Sequence, residues 1–85
     1  SSDLIILLKC QESAKMRVME YLKGTILETN SDGSFLMQAA IVENEHLWLG
    51  TLLSLSDAVE VLSPEHVRTR LSTAAEKIVA LYKKT

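Results

Sequence analysis

The distribution of hydrophobic and polar residues along the chain predicts four strands. The aliphatic run at 3–10, DLIILLKC, is short and apolar on both faces, which favours a central strand. The segments at 25–29 and 35–42 are rich in strand-forming residues and enclose an Asp-Gly pair, a hairpin signal because glycine accepts positive φ. A brief apolar alternation at 58–62 predicts the fourth strand.

Apolar residues recur at helical spacing in three further segments. The predicted helices cover 13–22, 43–55 and the C-terminal part from 64 onward. Gly24 is placed to end the first helix. Gly50, inside the second helix, suggests a close approach of the backbone to the sheet. Ser63 is expected to cap the third helix, with Pro64 at its first position.

The order strand-helix-strand-strand-helix-strand-helix is the βαββαβ pattern of a ferredoxin-like fold followed by one more helix. We expect an α+β domain with a four-stranded antiparallel sheet whose first and third strands are central. The first two helices then lie on one face. Either parity of the 35–42 segment leaves aliphatic side chains on the other face, so the last helix, a second subunit or a missing domain must cover them.

Composition restricts the class of protein without identifying a function. A chain of 85 residues is expected to form a single domain, 1–85. Apolar residues make up 47% and charged residues 24%, which is typical of a globular protein. The 9 basic and 11 acidic residues give a net charge of −2, which argues against nucleic-acid binding by this segment.

Cysteine usage and the length of the apolar runs indicate the compartment. Cys10 is the only cysteine, which excludes an intramolecular disulfide and a cysteine-based zinc site and fits a reducing cytoplasm. The longest apolar run, at 4–8, is far shorter than the roughly 20 residues of a membrane span. We therefore expect a cytoplasmic protein without membrane attachment.

No residue pattern in the sequence predicts catalysis. His46 and His66 belong to different predicted helices, and we expect them on helix surfaces rather than at a metal. Cys10 could be a reactive thiolate beside the following helix, but a buried strand residue is the stronger interpretation. The carboxylates are scattered and the glycines isolated, so neither an acid–base pair nor a phosphate-binding loop is predicted. We expect no catalytic, cofactor-binding or metal-binding residues and no enzymatic activity.

Two features of the sequence could serve binding. Trp48 lies on the apolar stripe of the second helix and Leu47 lies off it; both are candidates for an interface, although a core position is the simpler explanation for Trp48. Arg70, Lys77 and Lys84 are spaced by seven along one flank of the last helix. They are candidate contacts to an acidic ligand or partner, with a solvated flank as the alternative.

The segment at 47–71 resembles the WCX domain, the C-terminal extension of WYL-domain transcriptional regulators. The resemblance rests on an aromatic residue in a helix that ends in Leu-Leu-Ser-Leu, a Val-Glu-Val-Leu strand and a Pro-Glu helix start. In this chain these are Trp48, 52–55, 59–62 and 64–65. Ser56 stands where the family usually has glycine, which implies strain if the backbone there adopts positive φ.

This resemblance implies a bacterial cytoplasmic regulator with an N-terminal winged helix-turn-helix, a middle WYL domain and this ferredoxin-like module at its end. The chain begins Ser-Ser-Asp without methionine, so we expect a C-terminal piece of such a regulator. The module would assist dimerisation and effector sensing, as a homodimer that reaches DNA only through the missing domain. The effector is not identified; the cations at Arg70, Lys77 and Lys84 make an anion one candidate.

Two other interpretations are considered. A free-standing ferredoxin-like small-molecule sensor, similar to amino-acid-binding regulatory domains, would share the fold and lack an upstream DNA-binding domain. An acylphosphatase-type enzyme would need an arginine and an asparagine near the first loop. The segment at 10–13, Cys-Gln-Glu-Ser, contains neither, so we discount the enzyme.

Overall fold

The computed structural model describes residues 3–83, and these form a four-stranded sheet, three α-helices and two short 3-10 helices. The strands are β1 Asp3–Cys10, β2 Lys23–Thr29, β3 Phe35–Val42 and β4 Val59–Ser63. The α-helices are α1 Lys15–Tyr21, α2 Leu47–Ser54 and α3 Glu65–Tyr82. The 3-10 helices, Glu12–Ala14 and Ser56–Ala58, precede α1 and β4.

The sheet has the strand order β2-β3-β1-β4, and every neighbouring pair is antiparallel. The first and third strands are therefore central, and the predicted α+β, ferredoxin-like fold with a C-terminal helix is confirmed. Both outer strands depart from regular pairing. The register shifts between Ile26 and Glu28 in β2, and between Leu7 and Leu8 where β1 meets β4. The edges of the sheet are thus irregular although its centre is regular.

The β2–β3 hairpin is formed by the Asp-Gly turn that the sequence predicts. Gly33 has a φ of +88°, and its amide donates to the carbonyl of Asn30 at 3.0 Å. The carboxylate of Asp32 accepts hydrogen bonds from the amide and the hydroxyl of Ser34, at 2.9 and 2.6 Å. These bonds lower the pKa of Asp32, which keeps the turn acceptor ionised.

The core lies on one face of the sheet. Ile6 and Leu8 from β1 alternate with exposed or half-buried neighbours, and Phe35 and Met37 from β3 do the same. The helices add their buried side chains to this same cluster, namely Ala14, Val18, Trp48, Leu52, Ala58 and Val67. No polar or charged residue among 3–83 is fully buried. All three α-helices therefore pack on the same side, which we call the inner face.

The prediction that Gly24 ends α1 is wrong. The helix ends at Tyr21, and Leu22 is already extended, with φ −123° and ψ 145°. Gly24 lies within β2, where it pairs with Ala39. A Cβ there would overlap the carbonyl oxygen of Gln38 and come within 2.5 Å of Cε of Met37. Glycine is required here for a close approach of two strands, a role that sequence spacing cannot distinguish from a helix stop.

The second helix begins later than predicted, and its glycine has a different role. Residues 43–46 form a turn, in which the amide of Glu45 donates to the carbonyl of Val42 at 3.0 Å. The indole N–H of Trp48 donates to the carbonyl of Glu43 at 3.1 Å and holds this turn against α2. The prediction that the backbone at Gly50 lies close to the sheet is wrong, because a Cβ added there meets nothing within 4 Å.

The third helix starts one residue later than predicted. Ser63 is the last residue of β4, and Pro64, which follows a cis peptide bond, is the N-cap. The carbonyl of Pro64 accepts from the amides of Val67 and Arg68 at 3.2 and 3.3 Å. No side chain caps this end of the helix, so the predicted Ser63 cap is wrong.

Candidate functional site

The described chain, residues 3–83, contains no group of three or more histidine, cysteine or acidic side chains arranged to hold a metal ion. His66 Nε2 lies 2.7 Å from a carboxylate oxygen of Glu43, and both side chains are about half exposed. His46 is exposed just before α2. Both histidines are thus exposed on the surface, as the sequence predicts.

Cys10 is a core residue rather than an accessible thiol. It ends β1 on the inner face with 1% of its surface exposed. Burial raises its pKa to about 11, because the thiolate would lose hydration without gaining a cationic partner. The thiol therefore keeps its proton at neutral pH, which is the opposite of what a nucleophile requires.

The outer face of the sheet carries an apolar patch. We call Ile5, Leu7, Leu36, Ala40 and Val42 the outer patch; they alternate with the core residues of the two central strands. Ile5 pairs directly with Ala40, and 52% of Ile5 is exposed. The other four residues are half-buried.

The third helix does not cover the outer patch. Val67 of α3 is completely buried in the inner-face cluster, and Leu71 packs against that cluster. Within residues 3–83, the last helix is therefore excluded as the element that covers the outer patch. Of the three possibilities predicted from the sequence, a second subunit and another domain are left.

Charges of both signs border the outer patch. Lys9 of β1 pairs with Leu36 on one side and with Glu60 of β4 on the other. Lys23 and Glu28 of β2 pair with Ala40 and Leu36. Exposed Gln38, which pairs with Leu7, lies within the patch itself, so this face mixes apolar and polar groups, as non-obligate protein–protein interfaces do.

The structure separates the two candidate interface residues of α2. Leu47 is 77% exposed at the start of the helix, and Trp48 is only 5% exposed. The Trp48 ring packs on the inner-face core, which agrees with the simpler interpretation of that residue. Only Leu47 of the pair is accessible to a partner, and it lies beside Tyr21 at the rim of a groove between α1 and α2.

In the described part of α3, two of the three predicted cations lie along one flank of the helix. The guanidinium carbon of Arg70 lies 4.9 Å from the centre of the Trp48 ring, a cation–π contact. Lys77, two turns further on, is exposed. Lys84 lies outside the described residues. Sequence spacing indicated the flank but could not reveal that Arg70 stacks on Trp48.

Ser56 occupies a strained position that the family resemblance singles out. It lies between α2 and β4 with a φ of +58°, and it is the only non-glycine residue with positive φ among residues 3–83. The left-handed region costs a residue with a Cβ about 1–2 kcal/mol. The family glycine would adopt this conformation freely, so the strain expected from the sequence is present.

A four-stranded sheet with helices on one face, an apolar outer patch on the other and an extended last helix defines an α+β, ferredoxin-like domain. The WCX domain family model matches residues 4–79, nearly the whole chain. The chain therefore belongs to the WCX domain family. The comparison with curated proteins finds no match. In the described part of the chain, none of the helices has the length and apolar content needed to cross a membrane.

Proposed function

We propose that this chain is the regulatory and oligomerisation module of a bacterial, cytoplasmic WYL-type transcriptional regulator. Membership of the WCX family supports a regulatory role. In this proposal the module joins two regulator subunits and passes effector binding on to a helix-turn-helix domain elsewhere in the parent chain. It reads no DNA itself, in keeping with its net charge of −2.

The observation that carries the dimer is the outer patch. Ile5, on a central strand, is half exposed, and none of the described helices packs over it. If two copies together bury about 600 Å² of apolar surface, a patch size that is functional on many proteins, the gain is about 15 kcal/mol. Association costs about 4–15 kcal/mol. The surplus lies between about 0 and 11 kcal/mol, so we expect a reversible dimer with two-fold symmetry, which would match a palindromic operator.

Sedimentation equilibrium of the chain up to high micromolar concentration tests the dimer. Ile5→Lys places a charge in the outer patch and should yield a monomer. Met16→Lys is the matched control, because Met16 is 86% exposed on α1, on the other side of the sheet. Circular dichroism should show both variants folded. A wild-type monomer throughout, or a dimer that persists in Ile5→Lys, contradicts dimerisation through this face.

The reading frame that encodes the chain tests the regulator assignment independently. We expect an upstream, in-frame helix-turn-helix domain followed by a WYL domain. A complete protein without a DNA-binding domain would instead favour the free-standing small-molecule sensor. Because this result does not depend on the dimer, the two parts of the proposal can fail separately.

A further inference from the structure

The C-terminal half of α3 extends its apolar stripe beyond the body of the domain. Val67 is fully buried and Leu71 half-buried, but Ile78 and Leu81, further along the same stripe, are 45% and 64% exposed. We call Ile78 and Leu81 the distal seam. At about 1.5 Å per residue, the part of the helix from 75 to 82 is about 12 Å long. Large aliphatic side chains are thus presented to solvent on a rigid element.

The spacing of the stripe is that of a helix that packs against another helix. Apolar residues recur at alternating intervals of four and three, at Val67, Leu71, Ala74, Ile78 and Leu81. This 3.5-residue period keeps one seam facing a partner over several turns. Near the body the stripe adjoins a groove of about 400 Å³ between α2 and α3, lined by Leu53, Leu71 and Ala75. A docked helix could therefore contact both the groove and the seam.

The charges beside the seam indicate the chemistry of that helix. Arg70 and Lys77 lie seven residues apart on one flank of the stripe. The cation–π contact with Trp48 orients the Arg70 side chain on this flank. No carboxylate among residues 3–83 forms an ion pair with either cation. Glu76, the acidic residue next to Lys77 in sequence, lies about 100° from Lys77 around the helix axis, on the side opposite the stripe. The flank is cationic although the whole chain is acidic.

A second copy of the chain would not place carboxylates beside the cationic flank. In an antiparallel pair of α3 helices, equivalent flanks face each other, so Lys77 would oppose cations. In a parallel pair, Lys77 would face the other flank, which carries Arg68, Ala75 and Tyr82. Neither arrangement offers Lys77 a carboxylate.

We propose that the distal seam and its cationic flank bind an amphipathic helix of a partner protein, with acidic side chains along one edge of its apolar stripe. The partner's aliphatic residues pack on Ile78 and Leu81, and its carboxylates lie beside Lys77 and Arg70. This surface is separate from the outer patch, so the proposal does not depend on the dimer or on the regulator assignment.

A labelled synthetic peptide of three heptads, with leucine at the a and d positions and glutamate at e and g, tests the proposal. Its glutamates oppose self-pairing, and a matched peptide carries lysine at the same positions. Fluorescence anisotropy with the whole chain, at about physiological salt, should show the glutamate peptide binding at least about tenfold more tightly than the lysine peptide.

Variants separate the seam from the flank. Leu81→Asp should abolish binding, and Lys77→Glu should weaken the glutamate peptide about tenfold while strengthening the lysine peptide. Met16→Asp, which changes an exposed apolar residue on α1, should leave binding unchanged. Trp48 fluorescence reports that each variant is folded. No saturable binding of the glutamate peptide below about 1 mM, or equal affinity for both peptides, overturns the proposal. Self-association lost in Leu81→Asp, without peptide binding, overturns it in favour of a second copy.

Discussion

Two glycine-to-alanine substitutions should have opposite effects on stability, although both glycines lie in regular secondary structure. At Gly24 the new methyl group would overlap the backbone oxygen of Gln38, approach Met37 Cε to 2.5 Å and lie 3.1 Å from Cα of Ala39. Met37 can move aside, but the backbone of a central strand cannot move cheaply. At Gly50 the methyl group enters open space on an exposed helix surface.

The magnitudes follow from these surroundings. Overpacking costs about 1–3 kcal/mol, and β2 is an edge strand that can shift outward, so we expect Gly24→Ala to lose about 2 kcal/mol. Gly50→Ala should gain about 0.5–1 kcal/mol, because alanine is the better helix former. Both substitutions reduce the entropy of the unfolded chain alike, so this contribution cancels when the two variants are compared.

Urea unfolding followed by circular dichroism measures both effects. With a slope of about 1 kcal/mol per molar urea for a domain of this size, Gly24→Ala should lower the midpoint by about 2 M and Gly50→Ala should raise it by about 0.5–1 M. A Gly24→Ala variant as stable as the wild type would refute the close approach of β2 to β3. A Gly50→Ala variant that is destabilised would show that this face of α2 is covered.

Three further predictions concern single side chains. Ser56→Gly should raise the free energy of unfolding by about 0.5–1 kcal/mol, because relief of positive-φ strain exceeds the entropy that glycine adds to the unfolded chain; Ser56→Ala, which keeps the Cβ, should not. Burial raises the pKa of Cys10 from 9.0 to about 11, so the unfolded chain loses this proton first and stability falls as pH rises through that window. Between pH 7 and 10 the Cys10 contribution to this loss is about 1.4 kcal/mol, and a Cys10→Ala variant that loses as much stability by urea titration would contradict it. Arg70→Ala should cost about 0.5–1 kcal/mol and alter Trp48 emission, whereas an unchanged spectrum would mean that the cation–π contact does not persist in solution.

Hydrophobic periodicity predicted β3 well, because burial on one face dictates alternation. The β3 strand has the predicted bounds, 35–42, since every second residue from Phe35 to Ile41 is buried. The hairpin and the strand order followed from the Asp-Gly turn and the handedness of crossovers. Such signals depend on short segments or on the order of the elements, so they can be recognised in a single sequence.

Residues with two possible roles were interpreted less well. Gly24 was consistent with a helix stop and with a close strand approach, and only the distance to Gln38 distinguishes the two. Tyr21, within the helix predicted at 13–22, is 52% exposed, because the helix ends there and the chain turns into β2. Similarly, the periodicity of α3 runs along its whole length, but periodicity cannot tell which turns have a neighbour.

The irregular edges of the sheet limit how this domain can associate with other chains. An ordinary edge strand offers a row of unpaired backbone groups on which a foreign strand can grow, the route to fibrils and swapped sheets. In β2 the bulge between Ile26 and Glu28 breaks that row, and the exposed Lys23 and Glu28 would place charges beside any added strand. In the short β4, Arg68 donates to the carbonyl of Val61 at 2.6 Å, so an acceptor on that strand is already engaged. Addition of a foreign strand is thus disfavoured at both edges of the sheet. A domain built this way can expose apolar surface for reversible contacts with little risk of aggregating through its edges.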